Sequence, residues 1–266
     1  MSAELSKLSG KRRSKNDSSP AKSNYVVSPP TKSTNSRAKL ILLGDAYVGK
    51  TSLILRYVHN TFSPHTLATV GSAYISKTLP QKPPLTLDIW DTAGQERFRG
   101  MNMGLYYRGS KGGVIVYDVT SRSSFNKAKI WLKELRDAVG VPENVDVEEP
   151  GYVRNGIVLA LAGNKRDLVE GKGAGGIRGE DLKLEKGAEG VPKREVTEEE
   201  AKQWSSEEGL LFFETSAKDD NDEGVKNLFE EIIFWINVAM KRGGEEKEKE
   251  TIELSMPKAG GGCCGD

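Results

Sequence analysis

Hydrophobic positions between residues 38 and 241 follow two periods in turn. AKLILL (38–43), GGVIVYDV (112–119) and GIVLALAG (156–163) are short, nearly continuous apolar runs, the pattern of strands buried on both faces. LTLDIW (85–90) alternates instead, with Leu85, Leu87 and Ile89 on one face. It follows the turn-forming PQKPP, so residues 72–90 are expected to form a hairpin. GLLFFETSA (209–217) adds a last strand. Helical spacing appears between these runs. KTSLILRYV follows a glycine-rich loop, and SSFNKAKIWLKELRDAV (123–139) lines up Phe125, Ala128, Leu132 and Leu135. Near the end, Val225, Leu228, Phe229, Ile232, Ile233 and Ile236 recur at i, i+3, i+4 and i+7. Strands alternating with helices predict an α/β, three-layer sandwich: a mainly parallel, six-stranded sheet with helices on both faces.

Two stretches interrupt the rhythm. Residues 139–155 are polar and carry Pro142, Pro150 and Gly151, while residues 171–192 hold seven glycines and many charges. Neither has apolar periodicity, so both are expected to be solvated insertions in a domain spanning 38–241. Loop-closure entropy grows slowly with length, so the fold can carry them. Partner contact and neutral insertion both remain open for them.

The ends differ from the middle. Residues 1–39 carry nine Lys/Arg against two Asp/Glu, with many Ser, Pro and Asn, so residues 1–37 are expected to be a disordered basic arm. It lacks the apolar run of a signal peptide. Residues 242–266 are expected to form a flexible tail. No segment offers the roughly 20 apolar residues that a bilayer span needs. Over the whole chain, 36% hydrophobic and 29% charged residues suit a soluble globular protein, and a net charge of +1 argues against general nucleic-acid binding.

The only cysteines, Cys263 and Cys264, are adjacent in the closing GGGCCGD. Adjacent thiols close almost no loop, and a zinc site needs four ligands, whereas His59 and His65 lie far upstream. An unstructured leftover and a lipid-attachment site both remain. Cys263 stands four residues from the end, as a prenylated cysteine does, but Cys264 and Asp266 fit that pattern's other positions poorly. Without disulfides or a secretory signal, a cytosolic protein is expected.

Chemistry concentrates after the strands. GDAYVGKT (44–51) fits G-x-x-x-x-G-K-S/T between an apolar strand and a helix, the setting of a phosphate-binding P-loop. Gly44 and Gly49 permit a turn that aims N–H groups inward, and the helix N-terminus adds positive potential. Lys50 is placed to reach the β- and γ-phosphates, and the Thr51 hydroxyl to ligate Mg²⁺. NKRD (164–167) follows the strand GIVLALAG. A carboxylate such as Asp167 accepts from both N1–H and the N2 amine of guanine, whereas adenine leaves it unpaired. ETSAK (214–218) follows the last strand and could close over the base. DTAGQE (91–96) puts Asp91 at a strand end, within reach of the metal through a water. Gly94 there would let an amide approach the γ-phosphate, and Gln95 would orient the attacking water. Thr69 could bring a second hydroxyl to Mg²⁺ from a loop that hydrolysis would release.

GDAYVGKT, Thr69, WDTAGQERF, YYRG (106–109), NKRD and ETSAK, in this order, resemble the Rab branch of the Ras-like small GTPases. AKIWLKEL (128–135) and LLFFETSAK look like its early-endosomal group. The resemblance implies a P-loop NTPase fold and slow conversion of GTP to GDP and phosphate, with GTP/GDP and Mg²⁺ as cofactors. It implies that amides from Tyr47 through Val48 to Ser52 bind phosphates, that Thr51 and Thr69 hold Mg²⁺, and that Phe62 lies against the guanine. Asn164 and Asp167 would fix the base, Lys165 and Lys218 would pack on it, and Ser216 and Ala217 would close the loop over it. Tyr74, Trp90 and Tyr106 match the aromatic trio that Rab effectors read, with ordinary core packing as the alternative. Cys263 and Cys264 would both be geranylgeranylated. The tail's five Lys/Arg against six Asp/Glu over residues 241–266 give no basic patch to assist a single lipid. Expected partners are an exchange factor, an activating protein, an escort protein, a dissociation inhibitor and effectors, with no nucleic acid and a monomeric protein. The expected place is the cytoplasmic face of endosomal membranes, with a cytosolic pool.

Three features depart from the family pattern: Tyr47 where a small residue is usual, VGSAY (70–74), and one extra residue between Phe98 and Tyr106. Tyr47 is expected to shield the phosphates or obstruct an activating protein. A nucleotide-dependent binding module with little hydrolysis is the alternative reading.

Overall fold

Strand β1 (Ser36–Gly44) buries Leu40 and Leu42 in one apolar cluster and Ile41 and Leu43 in another, so both of its faces must be covered. The computed structural model describes residues 36–66, 69, 72–92, 94, 106–141, 152–153, 157–170, 192–219, 221 and 223–255. After β1 come α1 (Lys50–His59), β2 (Ser72–Leu79), β3 (Leu85–Thr92), β4 (Ser110–Asp118), α2 (Arg122–Val139) and β5 (Tyr152–Val153). The chain continues with β6 (Ile157–Asn164), α3 (Glu198–Glu207), β7 (Leu211–Glu214) and α4 (Glu223–Ser255).

The sheet runs β2-β3-β1-β4-β6-β7, antiparallel only between β2 and β3 along this path. The expected hairpin is therefore present, with Ser72 opposite Thr92 and Leu79 opposite Leu85. The six expected strands form this path. A further two-residue strand, β5, pairs antiparallel with the start of β6. It lies inside the stretch 139–155 expected to be loop, and two residues are too short to show a period. Helices α1 and α4 cover one face, packing Leu53, Ile54, Leu228, Phe229 and Ile232 against Leu42, Val116 and Ala160. Helices α2 and α3 cover the other, where Phe125, Trp131, Leu135 and Ala201 meet Ile115, Tyr117 and Leu161. Burial of each large apolar side chain contributes about 1.5–3 kcal/mol, so the double cover dominates stability.

Helix α3 was not apparent from hydrophobic spacing. Its start is a capping signal instead: the Thr197 side chain accepts from Glu200 N at 3.2 Å, and Glu198, Glu199 and Glu200 fill the first turn. The chain just before it is pinned. Arg194 donates through both terminal nitrogens to Glu214, at 2.5 and 2.9 Å, and Val196 N donates to Val119 O at 3.2 Å. These ties fix the point where the chain returns to the sheet after the glycine-rich insertion.

Two boundaries differ from expectation. Strand β1 starts at Ser36, inside the expected arm, and Arg37 there holds Asp88 through Nε at 3.0 Å and Nη2 at 2.7 Å. Helix α4 continues past residue 241 to Ser255, through a segment expected to be flexible. The apolar stripe stops there, but the Glu- and Lys-rich sequence that follows has high helix propensity. No helix among the described residues is long and apolar enough to cross a membrane.

Phe229 is fully buried and stacks on Tyr57 with ring centroids 4.0 Å apart, joining α4 to α1. Phe229→Ala is expected to cost about 3–5 kcal/mol. Denaturant unfolding at one fixed nucleotide concentration measures this, and a loss below 1 kcal/mol would contradict the packing account.

Candidate functional site

Strands β1, β3, β4, β6 and β7 all point the same way, so the loops after them meet at one edge of the sheet. Those after β1, β3, β6 and β7 border a cavity of about 340 Å³.

The first loop wraps its floor. Tyr47, Gly49, Lys50, Thr51 and Ser52 line the cavity. Lys50 is buried, and its Nζ donates to the carbonyls of Gly44 and Asp45, both at 2.9 Å. Burial pushes its ammonium down to about 8, opposed by the charges of Asp91 and Asp45. A polyphosphate would supply the counter-charge that the buried ammonium lacks. Gly49 has φ 98°, and a Cβ there would stand 2.3 Å from Asn164 Nδ2. Glycine is thus needed both for the left-handed turn and for the approach of Asn164. Tyr47 also adopts a left-handed conformation, φ 65°, at a cost of about 1–2 kcal/mol, and its side chain is 75% exposed.

A second group gathers oxygens. Thr51 Oγ1 and Thr69 Oγ1 lie 2.9 Å apart and donate to Asp91 Oδ2 at 2.6 and 2.9 Å. The other carboxylate oxygen, Asp91 Oδ1, is buried without a hydrogen-bond partner among the described residues. Two hydroxyls and one carboxylate are an all-oxygen, singly charged set, which fits Mg²⁺ completed by water and phosphate. Gly94 lines the cavity nearby, and a Cβ on it would meet the Asp45 carbonyl carbon at 2.3 Å. The backbone after β3 therefore presses directly on the first loop.

Phe62, Asn164, Lys165, Asp167, Ala217 and Lys218 also line the cavity. Asn164 joins three segments: Nδ2 donates to Val48 O at 2.8 Å, and Oδ1 accepts from Ala217 N and Thr215 Oγ1, both at 3.3 Å. Asp167 is 5% exposed, and its Oδ1 accepts from Ser216 Oγ at 2.7 Å. Lys165 pairs with Asp118 at 2.7 Å.

Gly44, Val48, Asp91 and Ser216 are not lining residues. They act through Lys50, Asn164, the two threonines and Asp167, respectively. Sequence reasoning missed Asp118, which holds Lys165, and Lys127, which reaches Asp45 at 2.8 Å from α2. It also missed the lining residues Ala46 and Thr92, which lie inside quoted motifs, and Ser63, Pro64, Thr66 and Leu168, which match none. Tyr74, Trp90 and Tyr106 do come together, edge to face at 5.4 and 6.1 Å, with Lys39 Nζ 4.7 Å from the Trp90 ring centre. Gln95, Cys263 and Cys264 lie outside the described residues.

The sequence pattern of the Ras family matches residues 39–237. The chain belongs to the Ras family. It is 39% identical over 193 residues to GTP-binding protein ypt5 of Schizosaccharomyces pombe, covering 72% of this chain and 74% of that one. It is 39% identical over 195 residues to Ras-related protein Rab-5A of Dictyostelium discoideum, covering 73% and 78%. Ras-related protein RABF2b of Arabidopsis thaliana is 40% identical over 196 residues, again 73% and 78%. The chain is a Rab5-like small GTPase, a family that binds guanine nucleotide.

A carboxylate at 167 accepts from two guanine donors, whereas an amide offers one acceptor and a donor that faces them. Asp167→Asn is expected to weaken GDP binding by about 10²–10⁴-fold, the loss of two charge-assisted hydrogen bonds. The same variant should bind xanthosine diphosphate better than wild type does, because xanthine carries a carbonyl where guanine has the amine. Titration with both nucleotides measures the exchange, and unchanged preference would contradict the assignment.

Proposed function

We propose that this Rab5-like GTPase is a membrane-anchored switch on endosomes, cycling between GTP and GDP states and hydrolysing GTP slowly in between. The observation that carries this reading is the meeting of Thr69 with Thr51 and Asp91. Thr69 follows Thr51 by 18 residues, and its hydroxyl joins it to a site whose other members stand on α1 and β3. A loop tied to the site in this way responds to whether the γ-phosphate is present.

Mg²⁺, when bound by Thr51, Thr69 and Asp91, would neutralise charge on the β- and γ-phosphate oxygens. Lys50 binds the same oxygens from the opposite side, held by the Gly44 and Asp45 carbonyls. Gln95, one residue beyond Gly94, orients the attacking water. The water oxygen bonds to the γ-phosphorus as the bond from phosphorus to the bridging oxygen breaks, giving GDP and inorganic phosphate. The described lining residues include no arginine to stabilise that charge. Intrinsic turnover should therefore be on the order of 10⁻⁴ per second, with an activating protein needed for more. Tyr74 is 48% exposed in contact with Trp90, which supports an effector surface made with Tyr106. Lipids on Cys263 and Cys264 anchor the switch, an escort protein and a dissociation inhibitor handle the lipidated form, and an exchange factor reloads it.

Gln95→Leu should bind GTP as wild type does while its single-turnover hydrolysis, followed over hours with Mg²⁺, falls by at least about tenfold. Equal rates in the two proteins would remove Gln95 from the reaction. Cys263→Ser and Cys264→Ser should each shift most of the protein from membrane to soluble fractions, because one lipid chain binds only marginally. Full membrane retention of both single variants would refute the double anchor.

A further inference from the structure

Arg56 stands on α1, six residues after Lys50, and reaches across to the loop between β7 and α4. Its Nε donates to Ala217 O at 2.9 Å and its Nη2 to Lys218 O at 3.2 Å, bridging 161 and 162 residues of sequence. Its Nη1 donates to Asn60 O at 3.2 Å and Asn60 Oδ1 at 2.9 Å, closing the end of α1. Ala217 and Lys218 line the nucleotide cavity, so this guanidinium grips the base-side loop from behind.

The peptide group is planar, so holding a carbonyl also aims the N–H on the next residue. Holding Ala217 O sets the Lys218 N–H. Holding Lys218 O sets the Asp219 N–H, which donates to Ser216 Oγ at 3.0 Å. Ser216 Oγ in turn donates to Asp167 Oδ1 at 2.7 Å. A continuous path therefore runs from Arg56 through one peptide and one hydroxyl to the buried carboxylate. A charged donor strengthens the carbonyl bonds at its start, and each polarised link favours the next.

We infer that Arg56 is a positioning residue for guanine recognition, coupling the helix that begins in the phosphate loop to the loop and carboxylate that read the base. The inference rests on the assignment of Asp167 to the guanine N1 and N2 donors. Loss of Arg56 then loosens the base end of the site rather than the phosphate end. Nucleotide release speeds up, and the penalty falls mainly on ligands that use Asp167 fully.

The test compares release of GDP and of inosine diphosphate, which lacks the N2 amine, from the full-length protein with Mg²⁺. Arg56→Met is expected to release GDP about tenfold faster, the loss of two charged hydrogen bonds to carbonyls, with a clearly smaller effect on inosine diphosphate. Arg56→Lys, which keeps one charged donor, should fall between. Asn60→Gly, which removes the side-chain contact at the helix end and tolerates the left-handed backbone there (φ 53°), should leave both release rates and their ratio as in wild type. Equal acceleration for the two nucleotides, no acceleration, or the same pattern from Asn60→Gly would each overturn the inference. If Arg56→Met does not fold, the wild-type ratio retained in Arg56→Lys with faster release of both would overturn it equally. Asp167→Asn is the separate control: if it leaves the preference for GDP over inosine diphosphate intact, the base assignment itself fails, whatever Arg56 does.

Discussion

The central strands β1, β4 and β6 are buried on both faces, and most else in the structure follows from that constraint. Every residue of β6 is buried, and β1 divides its side chains between two apolar clusters. Such strands admit few polar side chains along their length. Polar chemistry is therefore pushed to their ends, and parallel pairing brings the carboxyl ends to one edge. Lys50, Asp91, Asp118, Asn164 and Thr215 all stand at or just beyond such an end. The nucleotide site is the place where the sheet can tolerate charge and unpaired backbone.

Those loops hold one another more than they hold themselves. Asn164 bonds to the first loop through Val48 and to the last through Ala217 and Thr215. Lys165 is steadied by Asp118 and Asp45 by Lys127, each from a different element. Arg56 adds a grip from α1 on the far side. A buried amide or carboxylate is costly unless its partners are satisfied, so these cross-loop bonds make the arrangement specific as well as stable. The consequence is that the two ends of the cavity are joined through shared hydrogen bonds.

Two charges at the centre are left with less than they need. Burial depresses the Lys50 ammonium, and the charges of Asp91 and Asp45 offset that only in part. Asp91 keeps one buried oxygen without a described partner. A nucleotide phosphate would relieve the first and a divalent cation the second. Such a pair suits a ligand that brings both charges together.

Periodicity along the chain determined the strand–helix alternation and hence the double-sided sheet, because burial on one or two faces imposes a period on neighbouring residues. Short motifs marked the glycine-rich loop after β1 and NKRD after β6, because backbone turns at strand ends demand glycine and fixed spacings. Helix α3 left only a capping signal, β5 was too short to have a period, and α4 outlasted its apolar stripe by propensity alone. Ser216 is expected to close over the base, and its hydroxyl also donates to Asp167. Arg56, Asp118 and Lys127 matched no pattern at all. The partners that tie them across the site lie 47 to 162 residues away, and a side chain's reach across a folded edge leaves no trace in the residues beside it. Local physics wrote the elements and the motifs into the sequence, and only tertiary packing decided which side chains hold the motifs in place.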